Sequence, residues 1–460
     1  MDFYKIKDFF ADFETQNFLV FYLFSKYAFK HFSKKDIENY QRIKRNLVVE
    51  YAFKKSEFFN KLYSGYDLKD FKKLPIINKN IMMDNLTMYN TLGLKKEEII
   101  NFCCEVEKSR DFSRRFKGLN IGMSSGTSGN KGVEIVTPRE EMYMKAAFLA
   151  RFDFPENQKM KIAFILRVSA PAFNFNIFGH SFNYISQLDT IENICKKLEN
   201  INPNIISAPP SMLKLIAKQV KMGLCKIKPK RIISYAEILY PDVKIFLKEV
   251  FNCPIHEIYK ATEGPIGITC EKENLHINED LVYVETLNKD FSETPPGKQC
   301  EKLIITDLHK RAQPIIRYNL NDVITISPKR CSCGSNFRVI ESIAGRNDHL
   351  FYGEKIDGNG LQFISPDYIS RAIITSSEKI EEYQVFEKSP QKLHIIIELK
   401  KTEKEESFEK ENLVKSIKKV FKDYGCKEPE IEISFENVSQ NRKSNKFIRM
   451  IREFEVKEDL

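Results

Sequence analysis

The sequence predicts an α/β protein in two parts: a large N-terminal domain of mixed sheets and helices, residues 1–344, and a small C-terminal α+β domain, residues 345–460. Between about residues 122 and 327, short β-branched runs alternate with helix-patterned segments, which indicates βα units around a mostly parallel sheet. After residue 345, a strand pattern, an amphipathic helix and a second strand pattern follow. A chain of 460 residues with 42% hydrophobic content can form both cores.

The first hundred residues are predicted to be helical, because Phe, Tyr, Lys and Glu recur at helical spacing up to a proline-marked break at "KLPIINKN", residues 73–80. The most apolar stretch, "NFLVFYLFSKYAF" (17–29), has no basic start and is too short to span a bilayer. We expect a buried helix there, with contact to a membrane surface as the alternative. Without a leader or transmembrane segment, a cytoplasmic chain with reduced cysteines is expected.

The formal net charge of +10 is spread along the chain and forms no long basic block. A nucleic-acid partner is therefore not expected. The charge favours an acidic small molecule or an acidic partner protein.

The segment "SSGTSGNKG" (124–132) lies between two strand-like stretches, "LNIGM" and "VEIVT". Glycines allow several amide N–H groups to face one anion, hydroxyls add donors and a lysine offsets charge, so the segment predicts a phosphate-binding loop. It is not a P-loop, since Asn130 separates Gly129 from Lys131. A surface linker is the alternative. The candidate binding residues are Ser124, Ser125, Gly126, Thr127, Ser128, Gly129 and Lys131.

Three further stretches follow in the chain: "YKATEGP" (259–265), "RYNLNDV" (317–323) and "GRNDHLF" (345–351). Together with the first loop they resemble the signature motifs of the adenylate-forming enzymes, the superfamily of acyl-CoA synthetases, peptide-synthetase adenylation domains and luciferases. Within it the chain looks most like the phenylacetate-CoA ligase branch, which includes relatives that adenylylate a deazaflavin coenzyme. The resemblance, from about residue 74 onward, implies a large AMP-binding domain and a mobile C-terminal lid domain.

The resemblance assigns roles in ATP binding to two of these stretches. Thr262 and Glu263 would serve the α-phosphate and Mg²⁺, a cation that prefers carboxylate oxygen, although a lone Thr-Glu pair is also an ordinary helix cap. Tyr259 would lie against the adenine. Asp322 would accept both ribose hydroxyls, as suits a carboxylate. The family commonly has glycine at position 321, and asparagine is tolerable there because it also visits left-handed conformations.

The "SYAEIL" segment (234–239) matches a family Gly-Ala-Glu stretch. The backbone of Ala236 and Glu237 would flank the adenine, and Tyr235, in place of glycine, would narrow the acid pocket. Further along, Arg346 would reach ribose and phosphate. Asp348 would be the hinge about which the small domain turns between adenylation and thioester formation.

The ending "RKSNKFIRMI" (442–451) resembles the family stretch that carries the catalytic lysine. Lys446 would bridge the carboxylate substrate and the α-phosphate and offset charge in the transition state. Asn445 stands where the family has glycine, and Lys443 is a nearby rival.

Cys331 and Cys333 in "CSCG", with Cys270 and His276 in "CEKENLH", provide three sulfurs and one imidazole, a set typical of structural Zn²⁺. Buried free thiols are the alternative, because the two pairs are far apart in the chain. The resemblance favours zinc, since the phenylacetate-CoA ligase branch often carries such a set in these two loops.

The resemblance implies ATP- and Mg²⁺-dependent activation of a carboxylic acid, aryl or apolar, as an acyl-adenylate with pyrophosphate release. Transfer would follow to the thiol of coenzyme A or of an acidic carrier protein's phosphopantetheine arm. The Phe-rich stretch 167–186 is predicted to wall the acid pocket, where His180 would be either a lining or a core residue. Two alternatives remain: nucleotidylyl transfer ending at an AMP ester of a coenzyme, and an inactive zinc-bearing nucleotide-binding scaffold. A dimer is one expected oligomeric state.

Overall fold

The N-terminal region is helical, as predicted. The computed structural model describes residues 13–109, 111, 113–123, 132–151, 159–166, 175–177, 180–187, 189–346, 351–364, 366–400, 403–438 and 447–454. The helices that precede the first strand are α1 (Phe13–His31), α2 (Lys34–Lys55), α3 (Glu57–Leu62), α4 (Lys79–Asp84), α5 (Leu86–Tyr89) and α6 (Lys96–Ser109). Ser33 begins α2 with a capping box in which its side chain and that of Asp36 bind each other's backbone N–H groups.

The middle of the chain alternates strand and helix where the sequence predicted it. The first strands and the helix between them are β1 (Asn120–Met123), β2 (Val133–Val136), α7 (Pro138–Arg151), β3 (Lys161–Leu166), β4 (Phe175–Ile177) and β5 (His180–Ser186). The βα units that follow are α8 (Ile191–Ile201), β6 (Ile205–Ala208), α9 (Pro210–Lys221), β7 (Arg231–Tyr235), α10 (Pro241–Phe251) and β8 (Ile255–Lys260). The strands after them are β9 (Pro265–Thr269), β10 (Leu275–Ile277), β11 (Val282–Leu287), β12 (Lys302–Asp307), β13 (Tyr318–Asn319), β14 (Asp322–Ile326) and β15 (Val339–Arg346).

Among the described residues, a ten-stranded sheet has the order β14-β15-β10-β9-β8-β7-β6-β3-β5-β4. Strands β5, β3, β6, β7 and β8 are parallel, whereas β4, β9 and β10 join in antiparallel register. Separate hydrogen-bonded groups are formed by β1 with β2 and by β11 with β12 and β13. The fold class is therefore mixed α/β, as the sequence predicts, with the parallel part carried by the βα units.

The two faces of the parallel strands differ. Residues such as Ala163, Ile165 and Ile206 point to the face covered by α8, α9 and α10 and form a continuous apolar core. Ile162, Phe164 and Ile233 point to the opposite face, where Phe182 and Ile258 join them in a smaller cluster. Because neighbouring residues of a strand point to opposite faces, this split follows from the strand register.

Helix α1 is buried on one face only, so the prediction of a buried helix is confirmed in part. Phe21, Ala28 and Phe29 are buried, but Val20 is 68% exposed on the other face. The buried face is anchored by Arg151, whose guanidinium donates to the carbonyl of Ser25 at 2.8 Å. In the part of the chain that the structure describes, no helix is long and apolar enough to cross a membrane.

Arg151 also forms a fully buried ion pair. Its partner is Asp280, which accepts a hydrogen bond from the Ser25 hydroxyl as well. Both charges are less than 2% exposed, and Arg151 lies over the ring of Phe29 at 4.7 Å. Removing one member of such a pair leaves an uncompensated buried charge and typically costs about 3–5 kcal/mol. The pair therefore fixes the N-terminal helix to the sheet domain.

The contacts divide the chain into two compact units. One comprises residues up to Leu320 with Thr325–Glu341, and the other comprises Asn321–Ile324 with the residues from Ser342 onward. The elements of the second unit after β15 are β16 (Phe351–Glu354), β17 (Leu361–Ile364), α11 (Pro366–Ser376), β18 (Ile380–Ser389), β19 (Lys392–Leu399), α12 (Lys410–Asp423), β20 (Glu430–Phe435) and β21 (Met450–Arg452).

A four-stranded sheet of order β20-β19-β18-β21 forms the centre of the second unit. Leu413, Ile417 and Phe421, on one face of α12, are fully buried in its core. Gly425 ends the helix region with a φ of 71°, the left-handed conformation that favours glycine. The predicted strand, amphipathic helix and second strand of the C-terminal region are all present.

Candidate functional site

The two strands that flank the glycine-rich loop form an antiparallel pair, β1 with β2. Strand β2 is held by Gln313, whose side-chain oxygen accepts the N–H of Ile135 and whose nitrogen donates to the carbonyl of Val133, both at 2.9 Å. Gln313 thus acts as a buried substitute for a neighbouring strand. The predicted phosphate-binding residues of the loop, which lie outside the described residues, are Ser124, Ser125, Gly126, Thr127, Ser128, Gly129 and Lys131.

The "YKATEGP" stretch forms the end of β8, a tight turn and the start of β9. The N–H of Ala261 donates to the carbonyl of Gly264 at 3.0 Å and closes the turn, which presents Thr262 and Glu263 half-buried. Tyr318 donates its hydroxyl to Oε1 of Glu263 at 2.8 Å. The structure therefore joins the second motif to the third, although 55 residues separate these two side chains in the chain.

Sequence reasoning missed a charged group beside this turn. Glu134, on β2, accepts from Lys260 at 3.2 Å through one oxygen and from Lys310 at 3.4 Å through the other. Lys310, whose side chain is only 5% exposed, also lies 3.5 Å from the carbonyl of Thr262. Burial acts to raise the pKa of Glu134, but Lys260 and Lys310 together hold it below its usual value.

The buried carboxyl group of Asp307 also interacts with Lys310, so the two lysines beside the turn face two acidic side chains, Glu134 and Asp307. Lys310 connects the strand that follows the glycine-rich loop to the turn that carries Thr262 and Glu263. No spacing rule marks Lys310 in a chain with 73 Lys and Arg residues, so its position beside this turn was not predictable from the sequence.

The "SYAEIL" segment leaves the end of β7 through a strained residue, because Ala236 has a φ of 67°. Tyr235 donates its hydroxyl to the carbonyl of Ile165 on β3 at 2.7 Å. Glu237 accepts from the N–H and the hydroxyl of Ser211, at 3.1 and 3.0 Å, in the first turn of α9. The side chain of Glu237 thus caps a helix, a role that the sequence did not predict.

In the third motif, Arg317 is structural. Its guanidinium makes two hydrogen bonds to Glu285, at 3.3 and 3.2 Å, and donates to the carbonyl of Leu74. Asn321 has a φ of 62°, the left-handed conformation that its substitution for glycine requires. Asp322 begins β14.

Tyr259 lies half-buried on β8, one residue before Lys260. Arg346 is the last residue of β15. Asp348 and Lys446, the predicted hinge and catalytic lysine, lie outside the described residues, as does the 167–174 part of the predicted acid-pocket wall. His180 is half-buried on β5, and its Nδ1 accepts the N–H of Met160 at 3.0 Å.

Cys270, His276, Cys331 and Cys333 come together, with all four ligand atoms within 4.8 Å of one another. The sulfurs of Cys270 and Cys331 are 3.7 Å apart, and the sulfur of Cys333 lies 3.4 Å from Nε2 of His276. A tetrahedral zinc ion with its usual bond lengths separates two sulfurs by about 3.8 Å and a sulfur and a nitrogen by about 3.5 Å. The spacing fits that ion.

The surroundings of this cluster suit a cation. Nδ1 of His276 lies 2.9 Å from the carbonyl of Phe337, which leaves Nε2 facing the sulfurs. Backbone N–H groups of Lys272 and Cys333 donate to the sulfurs of Cys270 and Cys331 at 3.3 and 3.4 Å. Burial raises the pKa of the Cys333 thiol to about 11, so binding a metal would have to displace its proton.

Three comparisons bear on the family. No protein-family model matches the sequence. Over 199 residues it is 25% identical to the phenylacetate-coenzyme A ligase of Thermus thermophilus, a match that spans 41% of this chain and 43% of that protein. Over 386 residues it is 21% identical to protein CapK of Staphylococcus aureus, covering 76% of this chain and 78% of that one.

The fold is similar to that of 2-hydroxyisobutyryl-CoA ligase in the postadenylation state in complex with R3-HIB-AMP. The TM-score is 0.68 at 14% identity, over 93% of this chain and 91% of that chain. The chain therefore has the fold of the adenylate-forming enzymes, and part of its sequence is similar to that of phenylacetate-coenzyme A ligases. The resemblance drawn from the four motifs is confirmed at this level.

Proposed function

We propose that the protein is an ATP-dependent acid–thiol ligase. It activates a carboxylic acid as an acyl-adenylate, with release of pyrophosphate, and transfers the acyl group to the thiol of coenzyme A. The observation that carries this proposal is the hydrogen bond from Tyr318 to Glu263, because it assembles two of the four motifs into one site. The similarity to a phenylacetate-coenzyme A ligase supports the acceptor.

The turn after β8 has the groups that a magnesium–phosphate complex requires. Tyr318 holds Oε1 of Glu263, while Oε2 accepts no hydrogen bond from the described residues. A carboxylate held at one oxygen is a suitable Mg²⁺ ligand, and Mg²⁺ would offset phosphate charge there. Thr262 would donate to the α-phosphate. Lys260 and Lys310 are two cations beside this turn and would offset part of the charge of a bound polyanion.

The remaining nucleotide contacts follow the family motifs. The hydroxyl and glycine residues of 124–131 would hold the β- and γ-phosphates, with Lys131 offsetting their charge. Tyr259 and the backbone of Ala236 and Glu237 would contact the adenine. The carboxylate of Asp322 would accept the ribose hydroxyls.

Catalysis would depend on the C-terminal region. Arg346 would bind ribose and phosphate, and Lys446 would neutralise the charge that develops between the acid carboxylate and the α-phosphate. A turn about Asp348 would exchange the lid orientation used in adenylation for the one used in thioester formation. Residues 1–344 and 345–460 would be the two moving parts.

A structural zinc ion would occupy the cluster of Cys270, His276, Cys331 and Cys333. The distances and the orientation of His276 support it. A closed set of four protein ligands leaves no position for a substrate, so the ion would be structural. It would join the loop after β9 to the loop before β15.

The activity is tested by pyrophosphate release from ATP and Mg²⁺ with a panel of aryl and aliphatic acids, each with and without coenzyme A. We expect release that depends on the acid, and a CoA thioester detectable by mass spectrometry. In the Lys446→Ala variant, release should fall roughly 10²–10³-fold, because that lysine stabilises transition-state charge.

Lys443→Ala is the matched control and should keep near wild-type activity. If Lys443→Ala loses activity and Lys446→Ala keeps it, the catalytic lysine is misassigned. An acyl-adenylate that accumulates with coenzyme A present would point to a carrier-protein thiol, and an AMP ester of a coenzyme would replace the ligase proposal with nucleotidylyl transfer. If no acid causes pyrophosphate release, the inactive-scaffold alternative is favoured.

A further inference from the structure

The outward face of α1 carries a stripe of exposed apolar side chains. Val20, Leu23 and Tyr27 are 68%, 55% and 60% exposed, and Leu19 is also exposed. In an α-helix these four positions fall within about 100° of the circumference, so they form one continuous patch over about two turns. Exposed apolar residues on a protein surface are usually scattered singly, whereas a contiguous patch marks an interaction site. We call these four residues the outward stripe.

The outward stripe cannot turn inwards, because the opposite face of α1 is fixed to the sheet domain. Phe21, Ala28 and Phe29 are buried on that face. Arg151 also holds the carbonyl of Ser25 at 2.8 Å. A helix that is apolar all round is normally buried all round. Among the described residues, the protein covers one side of α1 only, so the other side calls for a second apolar environment.

The charge along this segment is positive only. Residues 17–35 contain four lysines and no Asp or Glu. Lys26 and Lys30 lie on the same side of the helix as the outward stripe, towards its C-terminal end. Lysine side chains can extend past apolar neighbours and place their ammonium groups in a polar layer. An apolar face with lysines at its end matches the boundary of an anionic bilayer, where acyl chains lie below negatively charged headgroups.

A second copy of the chain is a poorer partner for this face. Two outward stripes packed together would add the lysines of both helices, and residues 17–35 of neither copy have a carboxylate to offset them. Like charges placed opposite each other oppose association. An anionic lipid surface supplies the negative charge that this segment lacks.

We propose that α1 docks the protein on an anionic lipid surface, with the outward stripe in the boundary between headgroups and acyl chains and with Lys26 and Lys30 against the lipid phosphates. The helix lies in the plane of the interface, because its opposite face stays on the sheet domain. Docking is reversible and weakens with salt, since the apolar area is small and salt screens the attraction of the lysines. The proposal does not depend on the adenylation activity.

The test is flotation of the full chain with vesicles of phosphatidylcholine, prepared with and without phosphatidylglycerol. The wild type should float with the phosphatidylglycerol vesicles, and added salt should release it. In the double variant Val20→Gln, Leu23→Gln, the partition coefficient should fall about tenfold or more, because these apolar side chains no longer leave water. Lys26→Gln with Lys30→Gln should also bind less, and its binding should depend less on salt.

The matched control is the double variant Ile245→Gln, Ile356→Gln. These residues are similarly exposed but are not neighbours on one helix face, so the variant should bind vesicles like the wild type. Circular dichroism checks that each variant is folded, as expected for substitutions at exposed positions.

A fluorescent reporter tests the depth of the outward stripe in the wild-type background. The chain contains no tryptophan, so a single one can be introduced. The emission of Tyr27→Trp should shift to the blue with phosphatidylglycerol vesicles, because the indole enters the interfacial layer. Tyr66→Trp, at another exposed position, should show no shift.

A folded wild type that does not float with phosphatidylglycerol vesicles would overturn the proposal. Equal vesicle binding by the Val20→Gln, Leu23→Gln variant, or an unshifted emission of Tyr27→Trp, would do the same. A wild-type dimer that this double variant converts to a monomer, without vesicle binding, would assign the outward stripe to a second copy instead. Pyrophosphate release is measured without vesicles, so each of these results leaves the ligase proposal intact.

Discussion

Individual residues differ in how well the sequence predicts their roles. The left-handed φ of Asn321 was predictable, because asparagine in place of glycine indicates that backbone region. The contact between Tyr318 and Glu263 was not, since a sequence carries no signal for which distant polar groups meet. The helix cap made by Glu237 was missed for the same reason.

Glu387, in the second unit, is a buried carboxyl whose protonation should affect stability. Its Oε1 accepts the N–H of Tyr352 at 2.7 Å, and it is 0% exposed. Burial raises the pKa of Glu387 to about 9, against partial opposition from the Tyr352 N–H and from Arg452. Because the folded pKa lies above the unfolded one, the stability contribution is full below about pH 4.5 and is lost as the pH rises to about 9.

Replacing Glu387 with glutamine should remove this dependence. The free energy of unfolding of Glu387→Gln minus that of the wild type should be larger at pH 8.5 than at pH 5.5. Denaturant unfolding at both pH values measures this difference. Glu378→Gln, at an exposed position, is the control. An equal difference from the wild type at both pH values would contradict the assignment.

At the scale of elements, the hydrophobic period decided which helices and strands could be predicted from the sequence. Strands and helices of the βα region follow alternation of 2 and 3.6 residues, so their existence was predictable. The order of the strands in the sheet was not predictable, because tertiary packing decides which strands pair. The partial exposure of α1 was misjudged, since aromatic residues occur on both of its faces.

Two loops meet at the cluster of Cys270, His276, Cys331 and Cys333. Replacing its cysteines should destabilise both loops. The double variant Cys331→Ser, Cys333→Ser should fall from one zinc per chain to nearly none, measured by elemental analysis. Its melting temperature should drop by several degrees or more, because metal binding in such sites contributes to folding free energy. Cys104→Ser, half-buried on α6, should keep both values. Stable wild-type protein without metal would refute the zinc site.

For the whole molecule, the sequence predicts two parts joined near residue 345, from the change of pattern there. We propose that the hinge between them lies near Asp348. Limited proteolysis should then cut first between residues 344 and 351, and a non-hydrolysable acyl-adenylate analogue should slow that cut. First cleavage elsewhere, with this segment intact, would argue against the hinge.

The contact between Ser25 and Asp280 bears on how the chain folds while it is being made. These residues are 255 positions apart, and both are buried with Arg151. At a synthesis rate of about 5–20 residues per second, roughly 13–50 s pass between their appearance on the ribosome. During that interval Arg151, which anchors the buried face of α1, lacks the carboxylate of Asp280 as its partner. The attachment of α1 is thus completed late in synthesis, and chaperone dependence of the nascent chain should be concentrated there.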